Sequence, residues 1–218
     1  MSYLLDPNNY NFSDPESIPN LLIQHLTIVG ISMLISIIIA IPVGIFLARH
    51  RAFYTPVITL ADVLYTLPAL AVLGILVLFT GLTMTTIIIP LILYNQLVLI
   101  RNTVAAINGI DPLLLEVGRA MGMNRWQVLL RVTLPLALPV IIAGIRVAMV
   151  TSIGIATLAS LVGAGGLGDL IFVGIEIPDN NEVLAGAIII SALAVVADLL
   201  LLSVQVALNR GRSALSVA

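Results

Sequence analysis

Few side chains in this 218-residue sequence are of a type that could do chemistry, and most are better read in other ways. Gly166-Leu167-Gly168-Asp169 has the Gly-x-Gly-Asp form used in intramembrane aspartyl proteolysis, which needs two carboxylates a few Å apart sharing a proton in a buried site. Asp169 falls in a loop and no Tyr-Asp pair supplies a partner. The glycine run instead suits a sharp re-entrant bend, with Gly165, Gly166 and Gly168 lining an external gate. Asp62 and Asp198 have apolar neighbours, which suits a proton relay or, more commonly, a helix end or an interhelical hydrogen bond. His25 and His50 lie near opposite ends of one apolar run, which argues against a two-histidine metal site. No catalytic residue and no metal ligand set is expected. Tyr65, beside Leu67-Pro68, and Tyr94-Asn95-Gln96, midway along an apolar run, are the candidates for a solute pathway. Polar groups at such depth face a bundle interior or an aqueous cavity, or hydrogen-bond between helices.

Composition bounds the class. Hydrophobic residues make up 60% of the chain and charged residues 9%, and several runs approach or exceed the ~20 apolar residues that cross a bilayer. The chain is expected to be an all-α polytopic membrane protein. Cysteine is absent, and all nine basic residues are arginine. Without lysine there is no P-loop lysine, Schiff-base lysine or Ser-Lys dyad, so the chain is not expected to be an enzyme or to hydrolyse ATP itself.

About five spans must position these residues. Residues 1–20 read as an external N-terminal tail and 21–212 as one transmembrane domain, with 213–218 a cytoplasmic tail. The first apolar run, 21–48, ends in Arg49-His50-Arg51. A second helix from Pro56, in its first turn, to about Thr80 is expected to kink at Leu67-Pro68. A third run covers 83–107, a fourth about 139–162 and a fifth 183–208. Arg49, Arg51, Arg101, Arg119, Arg125, Arg131, Arg210 and Arg212 then share one side with the inner end of the span that carries Arg146, which the positive-inside rule makes cytoplasmic. The N-terminus is expected outside and the C-terminus inside, with 163–182 an external glycine-rich loop.

The segment 108–135 is a polar island between the third and fourth spans. Asp111-Pro112 has the form of an N-cap followed by proline, and Asn124 with Gln127 that of a capping box, so two short helices are expected. Leu114, Val117 and Met121 share one stripe; Leu115, Gly118 and Gly122 share the next. Trp126, flanked by Arg119, Arg125 and Glu116, suits a docking knob with a charged rim. It equally suits an amphipathic loop lying on lipid headgroups.

The island resembles the "EAA" loop of ABC-transporter importer permeases. That pattern is Glu-Ala-Ala, three residues, Gly, nine residues, Ile, one residue, Leu-Pro; Glu116, Gly122, Leu134 and Pro135 match it in register. Val117 and Gly118 replace the alanines and Val132 the isoleucine. Leu99-Ile100-Arg101-Asn102-Thr103, Gly122-Met123-Asn124-Arg125-Trp126-Gln127 and Leu161-Val162-Gly163-Ala164-Gly165-Gly166-Leu167-Gly168 are similar to the branch that carries glycine betaine, carnitine and choline. The resemblance implies a type I ABC importer (MetI-like) permease fold in a bacterial cell (inner or plasma) membrane, taking up quaternary-amine osmoprotectants by alternating access. It implies a second permease subunit, identical or not, cytoplasmic ABC ATPase subunits that hold ATP and Mg, and an external substrate-binding protein, with membrane lipid around the chain and no nucleic acid. No cofactor is expected on this chain, and the few residues after Arg212 leave the receptor to a separate polypeptide. Glu116, Arg119, Gly122, Met123, Arg125 and Trp126 are the coupling residues so implied, and Tyr65 and Tyr94 would offer the aromatic faces a quaternary ammonium prefers. The rival class is a gradient-driven secondary transporter or channel, for which an inverted repeat and buried ionisable pairs would be the sign.

Overall fold

Long apolar runs become helices because only a helix satisfies its own backbone N–H and C=O groups within hydrocarbon. The computed structural model describes residues 2–213; Met1 and, of the expected 213–218 tail, residues 214–218 lie outside the described residues. In chain order the helices are α1 (Ser2–Leu5), α2 (Ile18–Arg49), α3 (Arg51–Thr66), α4 (Ala69–Thr80), α5 (Met84–Asn108), α6 (Pro112–Ala120), α7 (Arg125–Val128), α8 (Leu134–Ile155), α9 (Gly168–Glu176) and α10 (Asn180–Ser213). Among the described residues four stretches are long and apolar enough to cross a membrane: Ile18–Arg49, Met84–Asn108, Arg125–Val162 and Asn180–Asn209. Counting α3 with α4 as one broken span makes five.

Two expectations need correction. The second span is not one kinked helix from Pro56. α3 begins at Arg51, with Pro56 inside it, and between α3 and α4 the axis turns by 91°. Pro68 explains the turn. It disfavours helical backbone at Leu67, and Leu67 and Pro68 are both extended (ψ 133° and 128°), so two consecutive residues leave the helix. The helix that carries the fourth span does not start near Pro139. One helical run continues from α7 through a wide π turn at Leu129–Thr133 into α8, then tightens to a 3-10 end at Ala156–Val162. A proline ring clashes with the carbonyl four residues earlier. The wide turn, in which Leu134 N–H reaches back to Leu129, lets Leu134-Pro135 pass without ending the helix.

The core is α2, α5 and α8. Its packing depends on two glycines. A Cβ at Gly44 of α2 would lie 2.6 Å from the Cβ of Thr103, and one at Gly144 of α8 would lie 2.5 Å from the Cβ of Asn102. Asn102 and Thr103 of α5 turn their polar atoms back to their own helix, onto the Val98 and Leu99 carbonyls, and can press against the glycines. The broken pair α3–α4 packs on one side of this core and α10 on the other. α10 leaves Leu184, Ile188, Val195, Val196, Leu199 and Leu200 exposed, the surface of a helix that meets lipid or another subunit.

The two ends of the bundle differ. At one, the N-terminal turns reach α10, where the Tyr3 hydroxyl donates to Glu182 at 3.4 Å, and the glycine loop folds over α2. At the other stand Arg49, His50, Arg51 and the polar island.

Candidate coupling and translocation sites

The polar island is built by local signals. Asp111 Oδ1 accepts from Leu113 N–H at 2.9 Å and Pro112 opens α6. Asn124 accepts from Trp126 and Gln127 N–H, both at 3.0 Å, while Gln127 returns a bond to Asn124 N–H at 2.8 Å; this is the expected capping box. Between the helices Gly122 adopts φ +81°, a conformation that side chains oppose. Gly118 is the one buried residue of α6, and Val132, Met123 and Val128 lie 3.5–3.7 Å from where its Cβ would be. The small residue in the EAA position therefore seats α6 on the start of the Arg125–Val162 run. That leaves the opposite stripe outward: Leu113, Leu114, Val117 and Met121 are all exposed.

Of the six coupling candidates, Glu116, Arg119, Gly122, Arg125 and Trp126 are exposed and Met123 is half-buried under Gly118. Trp126 is 62% exposed and stands beside Pro42, Ile45 and Phe46 of α2.

The four pathway candidates are split by the structure. Tyr65, at the end of α3, is 41% exposed and meets Tyr94 edge-on, with ring centroids 6.0 Å apart at 82°. Tyr94 is buried, and its hydroxyl donates to the Leu67 carbonyl freed by the helix break at 3.1 Å. Asn95 is buried at the centre of the core. It donates to Ser36 of α2 at 3.3 Å and accepts from Ser152 of α8 at 3.0 Å, so one amide joins three helices. Gln96 donates to Ile92 at 3.1 Å, and its Oε1 is buried without a protein partner.

The glycine loop is held as closely. Gly165 and Gly166 have φ of +71° and +94°. Gly166 N–H donates to Gln24 Oε1 at 2.9 Å, and the ring of His25 lies against Gly166. Gly168 sits against the Thr157 carbonyl with no room for a Cβ. Leu167 fills the core beneath, fully buried. Among the described residues no three His, Asp or Glu side chains gather where a metal ion could be held.

The family described as "Binding-protein-dependent transport system inner membrane component" matches residues 40–213, a stretch that includes the capped island, the buried amide and the glycine loop. The chain belongs to this family. It is 43% identical over 187 residues to the carnitine transport permease protein OpuCD of Listeria monocytogenes serotype 1/2a (strain 10403S), covering 85% of this chain and 84% of that one. It is 39% identical over 210 residues to the osmoprotectant import permease protein OsmW of Salmonella typhimurium, covering 94% and 98%. In fold it is similar to a chain of the inward-facing MetNI methionine ABC transporter, with a TM-score of 0.76 at 23% identity over 85% of this chain and 93% of that one.

The chain is thus a multi-pass permease subunit of an ABC importer, with ATP hydrolysis left to a separate subunit, and its fold is the MetI-like one. In this permease the partners of several residues that order the site are not legible in the sequence. Ser36 and Ser152 complete the Asn95 node, and Gln24 and His25 seat the glycine loop. Arg146 pairs bidentately with Asp198 of α10, Nε to Oδ1 at 2.9 Å and NH2 to Oδ2 at 2.8 Å, with NH1 on Gln205 at 2.8 Å. Ser32 and Ser36 at i, i+4 on α2 were the readable signal for a polar seam; nothing local marked the others.

Proposed function

We propose that this permease imports quaternary-amine osmoprotectants, of the glycine betaine, carnitine and choline class, delivered by an external substrate-binding protein. The observation that carries the substrate class is likeness along nearly the whole chain, at 39–43% identity, to permeases named for carnitine and for osmoprotectants. The aromatic corner suits such a solute: Tyr65 presents a ring at the helix break with Tyr94 edge-on behind it, an arrangement that receives a cation with no N–H to donate. Tyr65, Tyr94 and Gln96 line the pathway in this reading, and Asn95 fixes the helices that frame it. Gly165, Gly166 and Gly168 form the external gate.

The arginine-rich end faces the cytoplasm, placing the N-terminus outside and the C-terminus inside. There the exposed apolar stripe of α6, with Glu116 and Arg119, docks on an ABC ATPase that holds ATP and Mg. Gly122, Met123, Arg125 and Trp126 form the adjoining turn and rim. Closure of the ATPase pair pushes on this segment, and the spans rock between outward and inward openings. A second permease subunit, identical or different, completes the pathway.

The test is ATP hydrolysis by the co-purified complex in nanodiscs, measured with receptor that is empty or loaded with glycine betaine, carnitine, choline or methionine. Stimulation by at least one loaded amine, and by neither empty nor methionine-loaded receptor, is expected. Equal stimulation by empty receptor, or stimulation by methionine alone, would overturn the substrate class.

A further inference from the structure

The arginines of this chain are used in two ways. Among those with described side chains, Arg101 pairs with Asp62 and Arg146 with Asp198, whereas Arg49, Arg51, Arg119, Arg125 and Arg131 have no ion-pair partner among the described residues. Four of these five line a single cavity of about 580 Å³ between the end of α2, the end of α5 and the polar island, together with His50. Among the described residues no carboxylate lines it. Cations that merely orient a span have no reason to converge on one void, where mutual repulsion opposes folding. Convergence without a counter-charge leaves a place for an anion, and guanidinium groups match the oxygens of a phosphate in a bidentate manner.

A second void identifies the anion. An apolar groove of about 320 Å³ runs beside the first, lined by Pro42, Ile45, Phe46, Trp126 and Leu129, and it shares Arg49 and His50 with the cationic cavity. Pro42 to Arg49 is the last two turns of a span, so the groove leads from the apolar interior of the layer to the cationic chamber at its surface. His50 is fixed at the junction: its Nδ1–H donates to the Phe46 carbonyl at 3.0 Å and its ring stacks on Phe46 at 4.3 Å. A cationic chamber opening onto an apolar groove at the end of a span has the shape of a lipid, and tryptophan at that depth suits the headgroup boundary.

We propose that this paired cavity binds one anionic phospholipid, its phosphodiester held by Arg49, Arg51, Arg119 and Arg125 and an acyl chain lying along Pro42, Ile45, Phe46 and Trp126. The lipid thereby fills the space between α2 and the segment that receives the ATPase, so that its presence stiffens the coupling segment. This site does not depend on which solute is carried; it shares only Arg119, Arg125 and Trp126 with the proposed docking surface.

The experiment uses the co-purified complex reconstituted in phosphatidylcholine nanodiscs, titrated with phosphatidylglycerol and followed by native mass spectrometry. Binding of phosphatidylglycerol above the zwitterionic background is expected. R49Q/R51Q should weaken it about thirtyfold, the loss of two cations worth about 1 kcal/mol each near the membrane surface. R49K/R51K should retain most of it. R131Q, which removes an unpaired arginine outside the cavity, should leave it unchanged. Glycerol phosphate, a headgroup without chains, should compete only weakly.

The proposal is overturned by R131Q weakening binding as much as R49Q/R51Q, by equal binding of the two lipids, or by glycerol phosphate competing as well as the lipid, which would mark a free-phosphate site. It is overturned too if R49Q/R51Q loses the ATPase on purification while keeping its lipid, since an acidic segment of the partner would then be the occupant. Receptor-stimulated hydrolysis on the same wild-type samples reports the importer function separately, so failure of one reading leaves the other standing.

Discussion

The centre of the bundle and its two flanks are held by different physics. Between α2, α5 and α8 the contacts are neutral: glycine against Thr103 and Asn102, and one amide shared between two serines. The flanks are each pinned by an arginine–aspartate pair, α3 to α5 through Asp62–Arg101 and α10 to α8 through Asp198–Arg146. In lipid, apolar surface supplies little preference for one helix neighbour over another, so close approach and polar pairing must do it. Glycine contacts act only at short range and tolerate little displacement. Ion pairs have longer reach and direction, and survive small shifts of the helix axis. The centre therefore tolerates little displacement, whereas the ion-paired flanks can shift further before their contacts fail.

The largest effect is expected at Gly144. A side chain there must displace Asn102, whose Cβ lies 2.5 Å from the site of the added carbon, and the two helices cannot part without opening the core. Gly144→Leu should cost about 3 kcal/mol or more and abolish the folded, monodisperse species in fluorescence-detected size exclusion. A normal elution profile would mean that the centre is looser than its packing indicates.

Arg146 comes next. Arg146→Leu leaves the Asp198 carboxylate and the Gln205 amide of α10 without their cation. The thermal midpoint of the purified complex should fall further than for any neutral polar substitution in the core, and R146L/D198L should recover most of the loss, since an apolar pair can replace a partly buried ionic one. If the double variant is as unstable as the single, the pair does more than join two helices. Asn95→Leu is smaller. Ser36 keeps its bond to the Ser32 carbonyl at 2.6 Å, and interhelical hydrogen bonds in membranes are worth about 1–2 kcal/mol at most, so a midpoint shift of a few degrees with assembly intact is expected.

What was legible in the sequence follows the same division. The caps at Asp111 and Asn124 could be read because each is complete within four residues. So could the polar character of Tyr94-Asn95-Gln96, but not its use. Asn95 finds Ser36 and Ser152 at separations of 59 and 57 residues, and Arg146 finds Asp198 at 52, distances over which a single sequence carries no register. The second span departs from expectation for the opposite reason. Leu67-Pro68 signals a departure from helix, but whether the chain kinks or turns through 91° depends on what lies beside it. Tyr94, which donates to the freed Leu67 carbonyl, provides that support from another helix. For Trp126 the residues alone leave partner and headgroup open, because exposure of one ring at the foot of a span suits both; only the resemblance of the island assigns it to the coupling surface.

The mildest test separates the two flanks. Asp62–Arg101 is a single contact of 2.6 Å between side chains 41% and 48% exposed, whereas Arg146 engages Asp198 through two nitrogens with side chains 22% and 34% exposed. Asp62→Asn should therefore change stability by only about 0–1 kcal/mol. A double-mutant cycle with Arg101→Gln should give a coupling that fades as salt rises to about 1 M, where the screening length falls to ~3 Å and exposed pairs are weakened more than buried ones. The corresponding cycle at Arg146 and Asp198 should keep its coupling over the same range. If both cycles lose it alike, water reaches α10 as freely as α3, and the flanks differ in geometry but not in environment. If only the Asp62 cycle does, then α3 and the broken α4 are the more loosely tethered side of the permease, and the helix break at Leu67-Pro68 is where a rocking motion would begin.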